Sequence, residues 1–321
     1  MCDKIIMIFF KILIVLLALC TVQIQCQTPP SATYNYTYAL GMKFVEIHYP
    51  AMIGLIQGHY DINTNVTHAP TPINVLYRYN DLSDPYSFPY KGPNRDTLYA
   101  TLFGDLTYTS LLIETPNTNH EDRYWTIELT DHNTELFDDI PGLDVNRPAN
   151  KYLLVGTNGP FFPNGHRNKK YDVIKATTNR VYIVVKVAVK GSDDLEEARA
   201  FLNSIKITST INDAPVRNIS YFTSFSPPEN IFNSLSFYDV ICAEVAYNGY
   251  PDFQQDFWDQ VSKIGLEPDY NLNVNSLPAD IKAALLQVLI DTPKVIRSFF
   301  YVNPPSLVGQ NYHVINRWGY V

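Results

Sequence analysis

Four runs of β-branched and aromatic residues follow one another between Leu98 and Val189: Leu98–Phe103, Tyr124–Leu129, Tyr152–Val155 and Val181–Val189. Gly, Pro and Asn punctuate them, and no helical period comes between. A parallel sheet needs a crossover between successive strands, usually a helix, whereas antiparallel strands need only turns. The order therefore predicts a mainly β, α+β protein whose residues 70–225 form an antiparallel β-sandwich or jelly-roll-like domain. Gly104, inside the first run, predicts a bulge that re-aims Asp105.

The pattern differs on both flanks. Residues 27–69 form an N-terminal helical and loop segment, with a helix expected over Tyr38–Ile56. After Gly191, Asp193 and Glu196 stand at capping-box spacing before Ala198, Phe201 and Leu202, where a short helix should begin. Residues 226–321 read as a C-terminal helical segment, with helices over Pro228–Tyr247, Asp252–Ile264 (closing on Gly265) and Pro278–Arg297.

The first 26 residues carry Lys4 and Lys11 ahead of an apolar run, Ile12–Leu19, with polar residues directly after it. That layout predicts a cleaved secretory signal peptide, an extracellular location and no stable membrane span after its removal. Asn35-Tyr36-Thr37, Asn65-Val66-Thr67 and Asn218-Ile219-Ser220 are acceptor triplets for N-glycans and point to the same route. Cys2 and Cys20 would leave with the signal. At most Cys26 and Cys242 then remain to pair, and a lone buried Cys242 on a helix is the preferred reading. A net charge of −8, a pI near 5.3 and the lack of a basic stripe argue against phosphate binding, so no nucleic-acid partner is expected.

The stretches PINVLYRYNDLSDPYSFPYKGPNRDTLYATLFGDL, ETPNTNHEDRYWTIELTDHNTELFDDIPG and KYLLVGTNGPFFPNG resemble the domain of unknown function 1254 family, over roughly residues 40–320. The matching positions are Asn94, Asp96, Thr97, Tyr99, Asp105, Leu106, Pro116, Arg123, Tyr124, Leu154, Val155 and Gly156. The resemblance implies a β-sandwich with appended helices in an envelope or secreted protein. Longer members add a second β domain, the domain of unknown function 1214, and the resemblance here is to a single-domain member lacking it. The family carries no general activity to transfer.

Candidate sites remain open between two chemistries. Asn94, Arg95 and Asp96 could clamp a substrate through a carboxylate beside a guanidinium, or could tie down a turn through Asp96 and Thr97. In the second case Asp96 should be buried, its carboxylate taking backbone or Arg95 hydrogen bonds. Glu128 and Asp131, with Glu135, Asp138 and Asp139, form the densest carboxylate cluster; paired carboxylates about 5–9 Å apart can hydrolyse glycosides. His120 and His132 are not at ligand spacing, and no zinc or calcium motif occurs, so no metal and no cofactor are expected. No Gly-x-Ser-x-Gly or phosphate-loop pattern is present either.

The 23 tyrosines and 17 phenylalanines suit a recognition surface as well as a sandwich core. Two functions follow. One is a secreted glycoprotein that binds a cell-surface protein or glycan, as a toxin-like or host-interaction effector. The other is a secreted carbohydrate hydrolase working through Asp96, Glu128 or Asp131.

Overall fold

The computed structural model describes residues 31–63, 71–83, 95–116, 123–142, 151–159, 161, 171–217 and 219–302. Cys26, Asn65, Asn94, His120 and Asn218 lie outside them. In chain order the elements are helix α1 (Ala32–Asn63) and strands β1 (Tyr77–Arg78), β2 (Thr97–Asp105), β3 (Leu111–Glu114), β4 (Trp125–Asp131), β5 (Leu136–Pro141), β6 (Lys151–Val155), β7 (Asp172–Lys175) and β8 (Arg180–Ala188). Helix α2 (Leu195–Ser204), strand β9 (Lys206–Ser209) and helices α3 (Ser236–Asn248), α4 (Gln255–Val261) and α5 (Ala279–Val302) complete them.

The strands form two sheets, one ordered β1-β2-β8-β4-β5 and the other β7-β6-β3-β9. All the pairings are antiparallel except β6 with β7, which run parallel. The four expected runs are β2, β4, β6 and β8. Strands β1, β3, β7 and β9 are short, and charged residues break the alternation in β5 and β7. Leu98, Leu102, Ile127, Ile183 and Val185 of the first sheet bury against Leu111, Ile113, Tyr152 and Leu154 of the second, with Ala198 and Phe201 of α2 closing the edge.

A second core lies on the helical side. Phe44, Met52 and Leu55 of α1 pack with Ile241 and Val245 of α3, Trp258 of α4 and Leu285 and Val288 of α5. Residues before and after the sheets thus build one helical body, which the sequence had divided between an N-terminal and a C-terminal segment. It meets the first sheet through Phe103 and Tyr182, which belong to the helical core rather than the sandwich core.

Several local expectations are corrected. No bulge forms at Gly104: β2 pairs with β8 in unbroken register from Thr97↔Ala188 to Asp105↔Arg180, and the irregularity lies instead between Leu129 and Thr130. A Cβ at Gly104 would meet Val181 Cγ2 at 2.6 Å, so close strand approach is what requires glycine here. The capping pair of Asp193 and Glu196 is not made. Asp194 precedes α2, and its carboxylate goes to Arg123 and to the Lys190 N–H. The helix expected from Pro228 is broken: a 3-10 segment, Pro228–Asn233, ends at extended Ser234 before α3 starts. Ile264 is followed, as expected, by Gly265 at φ 83°, the left-handed stop of a helical segment.

Candidate functional site

Three strand ends converge where the first sheet meets α3. Asp105 closes β2, Arg180 opens β8 directly opposite, and His132 follows β4. Helix α3 lays Glu244, Tyr247 and Asn248 across this edge, at the three- and four-residue spacing that shares one helix face. Glu244 and Arg180 are buried completely or nearly so, at 0% and 2% exposure.

Arg180 grips Glu244 with two nitrogens, Nε at 2.7 Å and Nη2 at 3.2 Å. The Tyr221 hydroxyl donates to the same carboxylate at 2.8 Å, and the Asn248 side-chain amide at 3.3 Å. Burial alone would raise the Glu244 pKa. The charge and hydrogen bonds of Arg180 prevail and hold it at about 2. The further hydrogen bonds satisfy the carboxylate side of this buried pair, while Arg180 Nη1 has no partner among the described residues.

Asp105 is the second hub. One oxygen accepts from the Thr107 N–H, the Thr107 hydroxyl and the Tyr247 hydroxyl, and the other from the Arg217 N–H at 2.6 Å. The Thr107 and Tyr247 hydroxyls also contact each other. Burial and then the Asp105 hydrogen bond push the Tyr247 phenol well up, so it stays protonated.

Rings and guanidinium groups alternate through this edge. Arg180 lies 5.2 Å from the Phe103 ring centre and 5.4 Å from that of Tyr247. Arg217 lies 4.6 Å from the Tyr247 ring centre and 4.9 Å from that of Tyr270. The series starts in the core at Phe103 and emerges at Tyr270, which is 56% exposed.

Two histidines border the cluster. His132 Nδ1 is 3.9 Å from Glu244, and His48 is packed against Phe44, Trp258 and Phe257. Neither imidazole has a hydrogen bond among the described residues. Burial, helped by His132, holds His48 down at about 3; burial and Arg180 lower His132 against the pull of Glu244 and Asp131.

The three candidate acids Asp96, Glu128 and Asp131 are not brought together, although within the carboxylate cluster Glu128 stands opposite Asp139 across β4 and β5 and Asp131 is bonded to the Glu135 backbone. The Asp96 backbone is bonded to Val189 and Asp131 pairs with Val181, so the length of β8 separates them, about 26 Å at 3.3 Å per residue. Glu128 and Asp131 point to opposite faces of β4. Glu128 is ion-paired with Lys186 at 2.6 Å, whereas Asp131 turns inward to accept from the Asn133 and Glu135 N–H groups and the Thr177 hydroxyl.

Asp96 is itself exposed, as is Arg95, and its carboxylate has no hydrogen bond among the described residues. The expected buried anchor is therefore corrected: the backbone carbonyl of Asp96 makes the tie, accepting from the Val189 N–H. Thr97 is buried and the Tyr99 carbonyl holds the Tyr79 N–H. Arg123 is buried and clasps Asp194 and the Ala188 carbonyl, while neighbouring Tyr124 is exposed. Cys242 is a free thiol in the helical core, pushed far up by burial.

Sequence reasoning missed Arg180, Glu244, Arg217 and Tyr247. The available signal was Glu244 itself, a carboxylate within Val240-Ile241-Cys242-Ala243-Glu244-Val245, where an unpaired charge would be costly.

The model of the family described as protein of unknown function (DUF1254) matches residues 73–209, from the strand preceding β2 through β9. Over residues 73–209 the chain is similar to that family. Asp105 and Arg180 of the cluster lie inside this span, while Glu244, Tyr247 and Tyr270 come from the helices that follow.

No curated protein matches the sequence. A crystal structure of the VPA0106 protein from Vibrio parahaemolyticus superposes with TM-score 0.58 at 13% identity over 83% of this chain, which supports a shared fold. This chain spans 59% of the Vibrio protein's length. An uncharacterized protein from Burkholderia cenocepacia overlaps at TM-score 0.28, 8% identity and 58% of this chain against 49% of its own, too little for any comparison. Among the described residues no helix is long and apolar enough to cross a membrane, and no group of three His, Cys, Asp or Glu side chains could hold a metal.

Proposed function

We propose that the protein is a secreted glycoprotein that acts by binding, its target a glycan or protein on a host or competitor cell. The observation that carries this reading is the series of stacked rings and guanidinium groups whose carboxylates are saturated from within. Asp105 and Glu244 already accept hydrogen bonds from their neighbours and offer no free base, and what the series presents to solvent is a tyrosine on a rigid support. Rigid amphipathic side chains of this type lose little entropy on contact and suit recognition. The hydrolase reading requires carboxylates about 5–9 Å apart across a substrate, and the separation of Asp96 from Asp131 supports binding over it.

Asn35 is exposed on α1 and is the acceptor position of choice for an N-glycan. Incubating secreted, purified protein with intact target cells tests both parts. Saturable adsorption with an unchanged surface-glycan profile is expected, and an electrophoretic shift on glycan removal. Cleavage of the surface glycans without saturable adsorption would refute the reading.

A further inference from the structure

We infer that the exposed face of Tyr270, with the adjoining edge of Arg217, is a binding site for a neutral, hydroxyl-rich sugar ring. This inference rests on the binding reading above and names the site and ligand class for it.

The support is built before any ligand arrives. The Arg217 guanidinium lies between the Tyr247 and Tyr270 rings, and its Nη2 donates to the Tyr221 hydroxyl at 2.6 Å. Its backbone N–H is fixed on buried Asp105. The Tyr270 hydroxyl donates to the Ala246 carbonyl at 3.1 Å, which locks the ring plane. One face of that ring is taken by Arg217 while the residue stays 56% exposed. Tyr108, 55% exposed, adjoins Thr107, whose hydroxyl touches Tyr247.

Charge decides between ligand classes. Arg180 and Arg217 are balanced by Asp105 and Glu244, and Glu267 and Asp269 precede Tyr270 in a chain of net charge −8. Such a surface gives an anion no attraction, and an apolar ligand would leave the outer guanidinium edge without an acceptor. Arg217 Nη1 has no hydrogen bond among the described residues and a side chain 23% exposed, so it can donate to a hydroxyl. The C–H face of a pyranose matches the ring of Tyr270, and its hydroxyls match that donor.

The test is an array of neutral oligosaccharides followed by calorimetric titration of the best ligand against the full secreted chain. Tyr270→Ala should bind at least about tenfold more weakly, a loss of about 1.4 kcal/mol. Its melting temperature should fall only slightly, because the side chain makes one hydrogen bond and one cation–ring contact and is more than half exposed. Tyr124→Ala, removing a comparably exposed tyrosine beside the start of β4, should bind as the parent does. Affinity should hardly change with salt.

Equal affinity for Tyr270→Ala, a steep salt dependence, or a parent protein that adsorbs to cells yet binds no neutral oligosaccharide would each overturn the site and leave the binding reading standing. Cleavage of the array sugars without saturable binding would overturn that reading as well.

Discussion

Glu244 shows how much of the junction between sheet and helices rests on a single side chain. Its carboxylate is ionised with no solvent contact because Arg180, Tyr221 and Asn248 together replace water. Removing it leaves Arg180 buried and uncompensated, so Glu244→Ala should lose about 3–5 kcal/mol of stability, read from the urea midpoint. The double variant Arg180→Met/Glu244→Met should lose less than the sum of the two single changes, since the pair then leaves together. Additivity would show that the two side chains do not act as a unit. Asp96→Asn should behave differently: with its side chain in solvent, its unfolding midpoint should shift by no more than about 0.5 kcal/mol.

At the scale of elements, the contact between α1 and the first sheet depends on the absence of a side chain. A Cβ at Gly58 would lie 2.3 Å from the Phe103 ring, so Gly58→Ala must displace either the helix or a ring that also covers Arg180. A loss of about 1–3 kcal/mol is expected in chemical denaturation, and an unchanged midpoint would contradict the packing.

The elements whose period is unbroken were legible in the sequence: β2, β4, β6 and β8 fall on the apolar runs, and α1, α4 and α5 on the helical ones. Strands β5 and β7 were not, because Leu136-Phe137-Asp138-Asp139 and Asp172-Val173-Ile174-Lys175 place charge where alternation would be counted, and pairing with a neighbour decides them. The candidate site was legible only in part. Asp105 lay within the quoted motif, but its partners Tyr247 and Arg217 are more than a hundred residues away, a distance no local pattern spans.

Across the whole molecule, the two bodies meet on groups that are buried in single protonation states, and this makes the fold acid-sensitive. An unfolded His48 takes up its proton near pH 6.5, whereas the folded protein resists down to about 3. The stability this confers is complete above 6.5 and is lost progressively as the pH falls toward 3. Glu244, at about 2 when folded against 4.5 unfolded, adds a further loss as the pH falls below 4.5. The melting temperature should therefore decline from pH 7 to pH 4, and His48→Phe should flatten the upper part of that decline. A flat profile in the parent would refute it.

The central claim is that the protein works by contact and not by carboxylate chemistry, and the exposed carboxylates allow a direct test. Asp96→Asn/Glu128→Gln removes two of the three candidate acids of the hydrolase reading, at positions exposed or half-exposed in the structure. The measurement is the dose-response of this variant beside the parent in a target-cell assay, with folding checked by melting temperature. Superimposable curves are the predicted result. A folded variant that has lost all activity would contradict the account.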